Sequence, residues 1–281
     1  MLRTRVLTAF VLLLVLVSAA AISTQLLVAL GAAFLGVTLF EWLRLAGVPA
    51  RVALAAAAAA AGAGLWAELI GVRPLPGVLA GLCALACALW VGIGVLLTRA
   101  QRQALALQRS LLVAGALLLA GTAWFALADL LHRGALWTLS VLALVWLADI
   151  AAYFSGRAFG VRKLASRISP GKTWAGVWGA VLAVLLVTEA VRWLWPAAAL
   201  WSTQLLIAAP VLGLGILLAF VALSIVGDLF ESLVKRQAGV KDSGNILPGH
   251  GGVWDRIDAT LPALPLAVLS QWTIVSGWHH G

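Results

Sequence analysis

Nine apolar runs, at about 6–22, 25–43, 52–70, 75–97, 110–130, 135–154, 173–194, 203–226 and 259–277, leave this chain few folds to choose from. A helix needs roughly 20 apolar residues to cross a bilayer, and most of these runs reach or approach that length. Hydrophobic residues make up 63% of the sequence and charged residues only 10%, against about 25% in a typical soluble domain. That little charge cannot cover a soluble surface. In lipid the backbone must be satisfied within each spanning segment or in a closed barrel, and the short alternating strands of a barrel are absent. The expected fold class is all-α, a polytopic integral membrane protein with about nine transmembrane helices.

The formal charge of +9 is distributed as in a membrane protein, so no nucleic-acid partner is expected. With the N-terminus in the cytoplasm, 16 of the 19 Lys and Arg fall in alternate connections, and only Arg73, Arg133 and Arg192 fall on the other side. That is the positive-inside asymmetry. It predicts an N-terminus in and a C-terminus out, and it collapses if one span is added or removed. Trp42, Trp66, Trp137, Trp174, Trp193, Trp195, Trp201 and Trp278 lie near run ends, where indole favours the headgroup level. Trp90 and Trp124 read instead as core or lipid-facing residues. The opening MLRTRVLTAFVLLLVLVSAAA resembles a signal peptide, but another apolar run follows at once, and it is read as an uncleaved first helix. Cys83 and Cys87, four apart in one run, lack metal-type spacing and read as small buried side chains. The alanines at 55–61, with Gly62 and Gly64, read as a close-packing helix face.

Polarity divides the chain in two. Residues 1–154 read as a transmembrane scaffold of about six helices with short loops. Residues 155–281 hold three helices and two polar segments, 155–172 and 227–258, both on the cytoplasmic side by the charge count. All four lysines (Lys163, Lys172, Lys235 and Lys241) lie in these two segments.

Chemistry concentrates there as well. Asp228 with Glu231 and Asp255 with Asp258 are i, i+3 pairs that share a face if helical. Asp228 ends the eighth run and Asp255 precedes the ninth, so two helix ends present carboxylates toward one spot. A hard cation such as Mg²⁺ is commonly held by one or two carboxylates plus substrate phosphates. Glu231 reads more simply as the ion-pair partner of Lys235. The glycines of PGHGG (248–252), Gly251 and Gly252 among them, let backbone N–H groups approach an anion. Lys241, His250 and Arg256 add donors beside them. SPGKTW (169–174) places Ser169, Lys172 and Thr173 at the start of the seventh run, and helix N-termini attract anions. It is not a Walker A loop, since the G-x-x-x-x-G-K-[ST] spacing is missing. Asp149, inside the sixth run, reads either as a functional intramembrane acid or as a structural partner of an arginine such as Arg157.

The string from Ser232 to Asp258, S-L-V-K-R-x4-K-D-S-G-x-x-L-P-G-H-G-G-V-x-D-R-I-D, resembles the signature of the phosphatidate cytidylyltransferase (CDP-diacylglycerol synthase) family. SIVGDLFE (224–231) and ISPGKTWAG (168–176) match the same family. The resemblance is dense over about 148–268 and only compositional before that. The chain departs from the pattern at Ile150, where members often carry Ser or Thr, and at Ser166, where they often carry Pro. The resemblance implies transfer of CMP from CTP to phosphatidic acid, giving CDP-diacylglycerol and pyrophosphate. It implies Mg²⁺ on Asp228 and Asp255, with a second metal ion left open. It gives catalytic roles to Asp228, Asp255, Lys241 and Arg256. Phosphate and substrate contacts would come from Ser169, Lys172, Thr173, His250, Gly251 and Gly252, with Asp242 and Asp258 orienting the cations. It further implies membrane lipid as a partner and an active site facing the cytoplasm of a bacterial inner membrane. A homodimer is compatible with it. The competing readings are a CTP-dependent polyprenol kinase or CDP-archaeol synthase, and, outside enzymes, a transporter. A transporter leaves the charge in the cytoplasmic loops unexplained.

Overall fold

The computed structural model describes residues 2–103, 105–198 and 200–274, with the side chains of 2–7, 9 and 272–274 outside the description. Helices α1 (Leu2–Ile22), α2 (Thr24–Leu45), α3 (Ala50–Leu69), α4 (Pro76–Ala100), α5 (Arg109–Arg133) and α6 (Ala135–Phe159) come first. A hairpin of β1 (Lys163–Ala165) and β2 (Ser169–Thr173) follows, then α7 (Trp174–Leu194), α8 (Trp201–Ala208), α9 (Pro210–Gln237), α10 (Trp254–Ile257) and α11 (Thr260–Ile274). The protein is an all-α polytopic membrane protein, with one small antiparallel hairpin that the apolar pattern does not foretell. Among the described residues, α2 to α7 and α9 are the seven helices long and apolar enough to cross a bilayer. The apolar stretch of α1, Phe10–Ile22, is shorter, and α11 has 15 residues. Positions 275–277 of the ninth run, and Trp278, lie outside the described residues.

Two expectations change. The run at 203–226 is not one helix: α8 ends, Ala209 is extended (φ −151°), and α9 restarts on Pro210. Proline fixes its own φ and disfavours helical geometry in the residue before it. The polar segment 227–258 is also not all loop, because α9 runs on to Gln237. The boundary at 154/155 falls inside α6, and helices from its two sides pack together, α11 on α4 and α5, and α9 on α4.

Close approach of α6 and α7 depends on small residues. A Cβ on Gly176 would lie 2.9 Å from the Ala152 carbonyl oxygen, and one on Gly179 would lie 3.2 Å from that of Ala151. Aromatic rings join α2, α4, α9 and α10. Trp42 stacks on Trp254 with centroids 4.5 Å apart and planes 8° apart, and Phe230 meets Trp42 and Trp90. Trp42 and Trp201 are therefore fully buried core residues and not headgroup anchors, whereas Trp66 and Trp193 are exposed.

The helices have two distinguishable ends. On one, Gln237 at the end of α9 exchanges two 2.8 Å hydrogen bonds with the backbone of Leu107, and the Arg167 N–H donates to Gln101. Thr8, near the start of α1, donates to the Pro248 carbonyl there. On the other, Glu68 and His132 meet at 2.5 Å with Arg73 beside them, and Asp129 pairs with Arg133.

Candidate active site

The site lies at the first of these ends, where the C-terminal parts of α2, α6 and α9 meet the hairpin and α10. The hairpin brings Lys172 against α9. β2 pairs Thr173 with Lys163 and Ser169 with Ala165. SPGKT is thus a strand, and α7 begins at Trp174, with Thr173 as its N-cap. The Thr173 hydroxyl accepts from the Gly176 N–H at 3.2 Å, which satisfies one orphan donor of the helix. Lys172 Nζ lies 2.5 Å from Asp228 Oδ2. Burial works against that ammonium, but the charge and hydrogen bond of Asp228 outweigh it, and the pKa rises above the usual lysine value.

The loop before α10 folds onto Asp255. Pro248 and Gly249 (φ 76°) are the central residues of a turn closed by the His250 N–H donating to the Leu247 carbonyl at 2.9 Å. A proline followed by a positive-φ glycine is the type II pattern. Gly251 (φ 81°) then returns the chain, its carbonyl accepting from the Leu247 N–H. Asp255 Oδ2 accepts from the Gly252 N–H (2.8 Å), the Ser243 N–H (2.8 Å) and the Ser243 hydroxyl (3.0 Å). Asp255 Oδ1 lies 2.5 Å from Lys235 Nζ, which also meets Glu231 Oε2 at 2.6 Å. Burial pushes the Asp255 carboxyl up, yet these donors, Lys235 foremost, hold it below the usual carboxylate range.

A cavity of about 1120 Å³ joins this polar end to an apolar one. Leu16, Phe34 and Leu142, from α1, α2 and α6, wall the apolar end. Lys172, Asp228, His250, Asp255, Arg256 and Asp258 line the polar end. Ser169, Thr173 and Asp149 line it as well. Asp149 is within electrostatic range of Asp228, Lys172 and Arg256. It is not the partner of Arg157, which donates to the Tyr153 hydroxyl instead. Asp258 is buried, accepts from the Ala259 N–H at 2.8 Å, and has its pKa raised well above the usual value by burial first and the charge of Asp228 second.

The structure places the other residues picked out from the sequence as follows. The Gly252 N–H is committed to Asp255, so it is not a free donor to a phosphate. Lys241 and Asp242 are exposed, and neither is among the residues lining the cavity. Arg256 lines the cavity while its guanidinium donates to the His250 carbonyl at 2.9 and 3.2 Å. Asp228 and Asp255 do face one cavity, but each carries its own lysine. No three His, Cys, Asp or Glu side chains among the described residues come together as a metal cage.

One residue escaped the sequence reading. Glu41, in α2, is 2% exposed and accepts from the Val253 N–H (3.1 Å), the Trp254 N–H (2.8 Å) and the Ser243 hydroxyl (2.9 Å). The available signal was an acid inside an apolar run.

Comparison with known proteins agrees with this chemistry. The model of the cytidylyltransferase family matches residues 3–273. The phosphatidate cytidylyltransferase of Pseudomonas aeruginosa is 47% identical over 140 residues, covering 50% of this chain and 48% of that protein. The Brucella suis protein of that name is 50% identical over 127 residues (45% and 43% covered). The one from Bacillus subtilis is 40% identical over 124 residues (43% and 42% covered). The chain spans about half the length of the curated relatives it matches. With the family pattern running through nearly all of its residues, the chain belongs to the cytidylyltransferase family.

Proposed function

We propose that the protein is a phosphatidate cytidylyltransferase, transferring CMP from CTP to phosphatidic acid to give CDP-diacylglycerol and pyrophosphate. The observation that carries this reading is the two-ended cavity. One continuous space offers leucine and phenylalanine walls for acyl chains and a cluster of Lys, Arg, His and Asp for phosphates. The names of the relatives support it independently.

In this reaction a phosphatidate oxygen attacks the α-phosphorus of CTP. A new O–P bond forms, the bond to the β-phosphate oxygen breaks, and pyrophosphate leaves with the electron pair. The attacking monoester has a second pKa of about 6, so it arrives largely ionised and needs no strong base. The task left to the protein is to bring two polyanions together and hold them in line. Lys172 is charged and held by Asp228, facing the cavity, and Arg256 is anchored to the loop that carries His250.

The hard oxygen donors of Asp228 and Asp255 suit Mg²⁺, which uses one or two carboxylates and completes its shell with phosphates. Among the described residues, Asp228 Oδ1 has one contact, from the Ser232 hydroxyl at 3.5 Å, and is the open donor. Asp255 would share an oxygen with Lys235 or release it. Bound there, Mg²⁺ would neutralise phosphate charge. The charge asymmetry supports a cytoplasmic site in a bacterial inner membrane.

The test is an assay in detergent with Mg²⁺, CTP and phosphatidic acid competing against a polyprenol. CDP-diacylglycerol and pyrophosphate are expected in equal amounts, and Asp228→Asn and Asp255→Asn should each lose about 100-fold or more in kcat. Preference for the polyprenol would overturn the lipid assignment, and wild-type turnover in both variants would overturn the metal assignment.

A further inference from the structure

A buried carboxylate is costly unless its lone pairs are satisfied. Glu41 meets that cost in an unusual way. Among the described residues it has no cation partner, and all its hydrogen-bond donors belong to one loop more than 200 residues away in sequence. Oε1 takes the Val253 N–H, and Oε2 takes the Trp254 N–H and the Ser243 hydroxyl. The next residue on α2, Trp42, stacks on Trp254. Two consecutive residues of the first half of the chain therefore grip the start of α10, one residue before Asp255.

The loop is shaped to admit this carboxylate. A Cβ on Gly252 would come within 2.5 Å of Glu41 Oε2, and one on Gly244 would collide with Oε1. The link continues to the cavity through Ser243. Its single hydroxyl proton is contested by Glu41 Oε2 at 2.9 Å and Asp255 Oδ2 at 3.0 Å. When it goes to Glu41, Asp255 Oδ2 keeps its two backbone N–H donors, from Ser243 and Gly252.

We infer that Glu41 is a positioning residue for nucleotidyl transfer, setting the loop Ser243–Asp255 and through it the cavity-facing carboxylate of Asp255. This rests on the reading of the site as a CTP:phosphatidate enzyme. It adds a reaction role in a region that otherwise reads as scaffold. Glu41 is not among the residues that line the cavity. Its removal therefore acts on turnover and on the Mg²⁺ requirement more than on lipid binding.

The experiment compares wild type, Glu41→Ala and Glu41→Gln in detergent. Loss of a group that orients a ligating carboxylate typically costs about 10- to 100-fold, and Glu41→Ala is expected to lose kcat by that factor. The KM for phosphatidic acid should stay within about 3-fold, the pattern of a lost transition-state interaction, while half-maximal rate needs more Mg²⁺. Glu41→Gln keeps the reach and one acceptor oxygen and should recover part of kcat. Amide exchange without substrate reads the restraint directly. Residues 243–255 should exchange faster in both variants, with α7 unchanged. Wild-type kcat in Glu41→Ala, a phosphatidate KM that rises as much as kcat falls, or unchanged exchange in the loop would each overturn the inference. A wild-type protein that makes no CDP-diacylglycerol would sink the functional reading instead. The exchange measurement would then still decide whether Glu41 holds the loop, and Glu41→Gln carries both measurements if the alanine variant does not fold.

Discussion

A methyl group at position 252 would lie 2.5 Å from Glu41 Oε2 and closer still to the Ser243 hydroxyl. Gly252→Ala must therefore displace the Ser243 hydroxyl and the Glu41 carboxylate from each other, with an overpacking cost of about 1–3 kcal/mol. The expected outcome is loss of most turnover with a detergent melting temperature only modestly reduced, measured side by side on the same preparation. Unchanged turnover would show that the loop tolerates displacement. Residue type alone made Gly252 a candidate, but for a different reason, since its N–H serves a carboxylate of the protein. Asp228, Lys172, Asp255 and Asp258 were legible because charged residues are scarce here, all four lysines fall in the two polar segments and half of the ten acids fall in the second. Glu41 was not, because its partners lie 202 to 213 positions away and no spacing rule spans that distance.

At the scale of elements, α6 and α7 form a pair whose contact allows almost no side chain on one face. Gly176→Leu should separate them, since even a Cβ there meets the Ala152 carbonyl oxygen at 2.9 Å. Because β2 feeds directly into α7, the separation also moves Lys172 relative to Asp228. The variant is expected to lose at least about 10-fold in kcat by the sensitivity of reacting groups to misplacement, together with a lower melting temperature. Full activity would mean that the hairpin positions Lys172 without help from the helix pair. The helices themselves were largely legible, since each apolar run is mostly helix where described, although the run at 203–226 is split in two. The break before Pro210 was visible as a proline, but unbroken hydropathy on both sides concealed it. The hairpin was illegible because SPGKT has no apolar alternation, and its strand form comes from pairing with Lys163–Ala165.

For the whole molecule, the far end carries Arg73, Arg133 and Arg192, and each has a carboxylate partner, Glu68, Asp129 and Glu189. The unbalanced positive charge is therefore left to the end that holds the site, as the positive-inside rule requires of a cytoplasmic face. In intact cells a membrane-impermeant thiol reagent should label Val72→Cys and leave Lys241→Cys unmodified until the cells are opened. The reverse pattern would invert the topology. The charge count carries the same expectation from the sequence alone, because it depends only on alternation. It could not show that the two halves interlock. Glu41 and the paired hydrogen bonds of Gln237 with Leu107 cross from one half to the other at the working end. A chimera that grafts 155–281 onto the front half of another family member would inherit the lysines of the pocket and all its acids but Asp149. It would work only if the donor front half also brought a carboxylate and an indole at the matching turn of its second helix. Interchangeability between relatives would thus depend on contacts across the halves as much as on the signature string.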